Sequence, residues 1–307
     1  MDTVSVLVLG GNGFIGRHAV ASLRRSGHRV IVGSRHAGAL GQSVREVKMQ
    51  RLLRAEDWLA LIADVDVVLN CVGILRERPS ERYDVIHHRA PAALAGACAA
   101  TGKRLIHVSA LGLSSQARSR FIRSKRDGER AIHAAAPDCV IVRPSLLDGD
   151  GGFGARWLRR LASAPVHMVP AGARGRVAAL SVRDLGVALA RLCGHDDGGA
   201  RALEFGGPVA MTMREYLAVL RAPHLRAAPC IEIPHWLARL ASHLCDLLHW
   251  SPYSFGHFEL MCADNLPAVN ALPAVLGRAP LSVGTGAPRP GAEPEASALG
   301  PSSAALR

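Results

Sequence analysis

The apolar positions of this chain fall in short runs that alternate with helically spaced stretches. Val4 to Leu9 is apolar except for Ser5, a glycine-rich turn follows, and Phe14, Ile15, Ala19, Val20 and Leu23 then recur at helical spacing. That pattern predicts strand, tight turn and helix. Val30 to Val32 reads as a second strand ending at Ser34-Arg35, Ser43 to Val47 as a short third, and Ala55 to Ala63 as the helix after it. The β-branched run up to Cys71, stopped by Val72-Gly73, has the form of a buried central parallel strand. Arg76 to Arg82 is polar, carries Pro79 and reads as a loop, and an alanine-rich helix covers Ala90 to Ala100. Leu105 to Val108 and Val140 to Val142 are further buried strands, with a helix through Phe121 to Ile132 between them. The alternation predicts an α/β fold, a doubly wound parallel sheet.

The first turn carries chemistry. Gly10, Gly13 and Gly16 stand three apart, where backbone without side chains can turn sharply, approach a pyrophosphate and let the helix pack on the strand. The helix that opens there offers unpaired N–H groups and partial positive charge to phosphates. A dinucleotide is therefore the expected ligand. At the end of the second strand an acidic residue would favour NAD(H). Ser34 and Arg35 instead offer donors and positive charge suited to a 2′-phosphate, with Arg17 positioned to lie across the same pocket. NADP(H) is thus favoured over NAD(H). The Ser109 hydroxyl lies at the end of a strand, where α/β sheets bind ligands.

Residues 1–148 form the expected dinucleotide-binding unit. A smaller, mostly helical C-terminal region is expected over 149–280, with 176–210 returning to the main sheet through a strand at Val177 to Leu180 and a helix at Asp184 to Leu192. The clearest late helix runs from Ile233 to Trp250, with Trp236, Leu237, Leu240, Leu244, Leu247 and Leu248 at helical spacing. A core or partner-facing role is expected for it, with peripheral membrane contact as the alternative. Residues 281–307 are poor in large apolar side chains and read as a disordered tail.

Composition narrows the partners. At 307 residues and 49% hydrophobic the chain can bury a substantial core. Its net charge of +12 is spread without a basic block or basic-aromatic platform, which argues against nucleic acid and for an anionic cofactor. Only Lys48, Lys103 and Lys125 are lysines. Seven cysteines stand far apart with no CxxC pair, which fits a reduced setting and no metal site. His87 and His88 are expected in a helix-start or core role. The apolar runs are strand-sized and the glycine motif begins almost at once, so neither a membrane span nor a signal peptide is expected, and a cytoplasmic location is.

Taken in order, Gly10-Gly11-Asn12-Gly13-Phe14-Ile15-Gly16, Val72-Gly73, His107-Val108-Ser109-Ala110-Leu111-Gly112, Ser124-Lys125, Arg143-Pro144-Ser145 and Phe205-Gly206-Gly207-Pro208 resemble the extended short-chain dehydrogenase/reductase superfamily. The similarity is to its atypical, NAD-dependent epimerase/dehydratase-like members, in the branch typified by the alpha subcomplex subunit 9 of respiratory complex I. It covers about residues 4 to 278 and implies a Rossmann fold. By this resemblance Gly10, Asn12, Gly13, Phe14, Ile15 and Gly16 hold the pyrophosphate, and Val72 and Gly73 lie along the cofactor. Ser109 would stand near a substrate carbonyl, Pro144 and Ser145 beside the nicotinamide, and Lys125 would be the lysine of the superfamily's Tyr-x-x-x-Lys pair. The tyrosine position is Phe121, which has no proton to transfer. Tyr83, Tyr216 and Tyr253 are the other tyrosines, and Tyr83 is not expected to reach the site. The reading favoured is a structural or sensing nucleotide binder without the usual chemistry. The alternative is an active reductase or epimerase with Lys125 or water as proton donor. An unidentified small-molecule substrate and a respiratory complex are the further partners that the resemblance raises.

Overall fold

Seven parallel strands form the central sheet of the computed structural model, which describes residues 3–35, 43–195, 202–222, 224–248 and 253–284. They are β1 (Ser5–Leu9), β2 (Arg29–Ser34), β3 (Val44–Glu46), β4 (Val67–Asn70), β5 (Arg104–Val108), β6 (Val140–Pro144) and β7 (Ala202–Phe205). Their order across the sheet is β7-β6-β5-β4-β1-β2-β3, with Val6 in register with Val30 on one side and Val67 on the other. The order reverses at β1, so a crevice opens at the carboxyl ends of β1 and β4, where doubly wound sheets bind ligands.

Helices α1 (Phe14–Arg25), α2 (Glu56–Ile62), α3 (Ala90–Ala100), α4 (Arg120–Ala135), α5 (Phe153–Ala162) and α6 (Val182–Gly194) follow the strands. Successive strand side chains point to opposite faces. Val6, Val8, Val30 and Val32 therefore pack with Ala19 and Leu23 of α1 and Leu185 and Leu189 of α6. Leu7, Leu9, Ile31 and Val68 pack on the other face with Trp58 and Ile62 of α2 and Leu94 of α3. Each buried Leu or Val contributes roughly 1.5–3 kcal/mol over its exposed state, which explains why the strands are near-continuously apolar.

The helix expected over Ala90 to Ala100 is present with those bounds, and it is preceded by a π-helical turn over Asp84–Arg89, against which α4 presses so closely that a Cβ on Gly128 would lie 1.8 Å from the His87 carbonyl oxygen. Two expectations need correction. The strand expected at Val177 to Leu180 does not join the main sheet. Arg176–Val177 pairs with Met211–Thr212 and Leu180–Ser181 with Leu147–Asp148, while β7 is the strand that extends the sheet beside β6. Val177 and Leu180 are buried, so their apolar run marks burial rather than sheet membership. The second correction concerns the late helix, which starts at His235 rather than Ile233 and whose apolar stripe lies outside the core.

Beyond β7 come α7 (Met213–Leu220), α8 (His235–Leu248), α9 (Phe255–Cys262) and α10 (Leu272–Leu276). Thr212 and Glu215 close a capping box at the start of α7. In α8 only Ala238 and Ser242 are buried, and Trp236, Leu240 and Leu244 are exposed. Helical spacing defines an apolar stripe but not the direction it faces; here it faces away from the protein. Trp250 lies outside the described residues.

The excursion over 207–264 leaves and rejoins the sheet at one place. Gly206 N–H donates to Asn270 Oδ1 and Asn270 Nδ2 donates to the Gly206 carbonyl, both at 3.0 Å. The Ser145 hydroxyl donates to the Asn265 carbonyl at 3.0 Å and accepts from Ala178 N–H at 3.2 Å. After α10, Leu281 N–H donates to Asp184 and Val283 is buried, so the chain is docked past the expected start of the tail at 281. Residues 285–307 lie outside the described residues. No helix among the described residues is long and apolar enough to cross a membrane.

Candidate functional site

The glycine turn begins where Gly10 N–H reaches across to the Gly33 carbonyl at 2.9 Å, with Gly10 at φ +72°, a conformation that favours glycine. Gly13 caps α1 with backbone alone, so the first N–H groups of the helix have no side-chain acceptor and are left for a ligand. Gly16 packs the helix back on the turn, since a Cβ there would lie 2.2 Å from the Gly10 carbonyl oxygen. Asn12 Nδ2 donates to Ser34 Oγ at 3.2 Å and ties the turn to the end of β2. A groove of about 600 Å³ opens over these residues, bordered by Gly10, Asn12, Gly13, Ser34, Arg35, Val72 and Gly73.

Phe14, Ile15, Gly16 and Arg17 stand behind that border. The Phe14 ring packs at Gly149 and Gly152, and Arg17 donates to the Asp150 carbonyl at 3.0 Å, so its guanidinium is turned to the 149–152 loop. At the Ser34 end of the groove the Arg35 guanidinium pairs with Glu81, whose carboxylate also borders the groove. Sequence reasoning missed Glu81: it lies in the polar loop, 46 residues beyond Arg35, and no local pattern connects the two.

At the other end a buried relay fixes the loop after β4. Asn70 Oδ1 accepts from Val72 N–H, and its Nδ2 donates to His107 Nδ1, each at 3.0 Å. Burial, helped by the Lys125 charge, pushes His107 down to about 3, so its ring stays neutral and able to accept. His87 does the same two residues on, at Ile74. The Ser124 hydroxyl donates to the Phe121 carbonyl at 2.9 Å, so the proton His87 shares with Ser124 Oγ at 3.0 Å sits on Nδ1. Nε2 is left to accept from Ile74 N–H at 3.1 Å. Burial, the Lys125 charge and His107 hold His87 well below the usual histidine range.

Gly73 lies between these groups, with space for a Cβ until the Lys125 ammonium at 3.8 Å and His87 Nε2 at 3.9 Å. Burial draws Lys125 down to about 8, against an opposing pull from Glu129. The Phe121 ring centre is 5.8 Å from the Lys125 ammonium, and His87, Tyr83 and His257 surround the ring at 5.7, 5.8 and 6.0 Å. Tyr83 thus reaches the site, because the π-turn that follows it swings its ring onto His87. Its hydroxyl donates to the Leu75 carbonyl at 2.8 Å, and burial with Asp246 and Glu77 nearby raises it to about 12.

Ser109 Oγ is buried without a hydrogen-bond partner among the described residues. Pro144 ends β6, and the Ser145 hydroxyl is engaged with Asn265 and Ala178. A second cavity of about 690 Å³ adjoins the groove through Arg76 and Arg78, which border both. Phe121, Tyr83, Arg120, Arg239 and Phe255 line it. Arg76 holds the loop to the end of α8 through the Cys245 carbonyl at 2.5 Å and Asp246 at 3.2 Å. No cluster of metal-ligating side chains occurs among the described residues.

A glycine cradle at a helix N-terminus, an open Gly73 beside an ammonium, and an orphaned buried hydroxyl fit a dinucleotide lying from Ser34 to Gly73. Fold and groove together define a Rossmann-type dinucleotide-binding protein. Residues 10–185 match the model of the NAD(P)H-binding family, and the chain belongs to that family. It is 31% identical over 194 residues to the ceramide reductase of Caulobacter vibrioides, across 61% of this chain and 60% of that protein. To the NADH dehydrogenase (ubiquinone) 1 alpha subcomplex subunit 9 of Rattus norvegicus it is 28% identical over 288 residues, across 88% of this chain and 76% of that one. The chain thus matches under two thirds of the ceramide reductase's length. The UDP-glucose 4-epimerase of Thermus thermophilus, solved with NAD, shares the fold at a TM-score of 0.58 and 18% identity, over 75% of this chain and 86% of that one.

Proposed function

We propose that this protein holds NADP(H) in the groove for a structural or sensing purpose and does not run the superfamily's tyrosine-based proton transfer. The observation that carries this reading is Phe121: by the resemblance it is the tyrosine position, and its buried phenyl ring, packed by Tyr83, His87 and His257, has no proton to give. The rest of the grip is intact. The first turn of α1 offers N–H groups to the pyrophosphate, and Lys125 is placed to meet ribose hydroxyls beside Gly73. The preference for the phosphorylated cofactor rests on Ser34 and Arg35, with Glu81 as the opposing charge. Similarity to a respiratory-complex subunit supports a role in which bound nucleotide steadies a protein within an assembly.

A second reading, an NADP-dependent reductase or epimerase with another proton donor, is favoured by Lys125. An ammonium drawn down to about 8 can release a proton near neutral pH. A bound nicotinamide would supply or receive the hydride, while Ser109 and Lys125 would orient and protonate the reacting oxygen. Names of similar proteins, a ceramide reductase among them, support this reading.

One series of measurements separates the two. NADPH fluorescence titration of the whole chain is expected to saturate, and Gly13→Val is expected to abolish binding by placing a branched side chain where phosphate approaches backbone. No saturable binding by the unaltered protein would remove both readings. Phe121→Tyr restores a hydroxyl at nearly constant volume, and a positioned general acid is worth about 10²–10⁴ in rate. NADPH-dependent reduction of carbonyl or quinone compounds that appears only in Phe121→Tyr supports the first reading. Turnover by the unaltered protein that Lys125→Met abolishes supports the second.

A further inference from the structure

We propose that the outer face of α8 docks on an anionic lipid surface. At 3.6 residues per turn, Trp236, Leu240 and Leu244 line the side of α8 opposite Ala238 and Ser242, with Leu237 and Leu248 flanking them. Trp236 is 67% exposed, Leu240 49% and Leu244 48%. No charged residue interrupts this stripe. Met168 and Ile231, register partners on the two short strands His167–Pro170 and Cys230–Ile233 that precede this helix in sequence, are exposed as well. An exposed apolar stripe along a helix whose charged residues are confined to its edge is the pattern of an interfacial helix.

The charge beside the stripe selects the occupant. The polar edge of α8, with Arg239, His243 and Asp246, lines the 690 Å³ cavity. Around that cavity stand Arg78, Arg118, Arg120 and Arg239, while its acids are taken up in ion pairs, Glu77 with Arg120 and Asp246 with Arg76. The rim is therefore net positive in a chain that carries +12 overall. A second copy would bring another positive rim, whereas anionic headgroups complement both the arginines and the apolar stripe. The inference goes beyond the nucleotide reading and does not depend on whether the site turns over.

The test is co-sedimentation of the full chain with vesicles of phosphatidylcholine alone or with about one-third phosphatidylglycerol. The protein is expected on the anionic vesicles, weakly on the neutral ones, and less as salt rises. Leu240→Glu combined with Leu244→Glu is expected to lower the partition by about tenfold or more, with melting temperature and NADPH affinity unchanged. Independently of any folding defect, Trp emission of the unaltered protein is expected to shift blue on anionic vesicles, and Trp236→Phe to remove that shift. No vesicle association, or equal association by the double variant, overturns the proposal. So does a concentration-dependent dimer, seen by light scattering and dissolved by the same substitutions without vesicle binding, which would give the face to a second copy.

Discussion

A single carboxylate changes what Arg35 can offer a phosphate. Paired with Glu81, its guanidinium is partly neutralised, and the carboxylate is itself an acceptor of the kind that ribose hydroxyls use. A charge-assisted hydrogen bond contributes roughly 1.5–3 kcal/mol, so Glu81→Gln is expected to tighten NADPH about tenfold or more relative to NADH. Arg35→Asp is expected to reverse the preference. Parallel titrations with both cofactors measure each ratio, and an unchanged ratio in Glu81→Gln would remove the pair from the specificity argument. The glycines, Ser34 and Lys125 were legible because their chemistry depends on spacing within one strand-turn-helix unit or on rarity. Glu81 and Tyr83 were not, since a loop and a π-turn bring them in from far along the chain. His87 was read as a helix-start or core residue, and it is buried there; its hold on the Ile74 amide follows from where α4 puts Ser124.

Among the elements, α4 bears most directly on the site because it carries Phe121, Ser124 and Lys125 on one side and Gly128 at its closest approach to the π-turn. Gly128→Ala would place a methyl group against the His87 carbonyl, and relief requires α4 to back away. Overpacking of this kind costs roughly 1–3 kcal/mol. The expected outcome is a lower melting temperature together with weaker NADPH binding, as Lys125 is carried off Gly73; a variant with full affinity would separate the helix from the cofactor grip. Most strands and helices were readable from apolar periodicity, which reports burial. It misplaced the strand beside β6 because Val177 to Leu180 is the more apolar segment and β7, which carries Glu204 and buries fully only Phe205, has the character of an edge. It also left the facing of α8 open, because a stripe looks the same whether protein or lipid covers it.

Over the whole molecule, acid sensitivity follows from the neutral histidines. His87 and His107 have folded-state values far below 6.5, so on acidification the unfolded chain takes up protons that the folded protein refuses. Stability is then fully present above pH 6.5 and is lost as pH falls toward about 3, by about 1.4 kcal/mol per pH unit for each such group. Thermal melts between pH 7 and pH 4.5 are expected to fall steadily, and His107→Gln to flatten the slope; a flat profile in the unaltered protein would mean that these rings are not neutral in the fold. The clasp formed by Ser145, Asn265, Gly206 and Asn270 has another kind of consequence. Because 207–264 departs and returns within one hydrogen-bonded knot, its ends are already joined, and its length adds only slowly to the entropic cost of closing it. Descendants of such a gene are free to vary that segment, keeping the glycine turn of the nucleotide grip while what lies above it diverges.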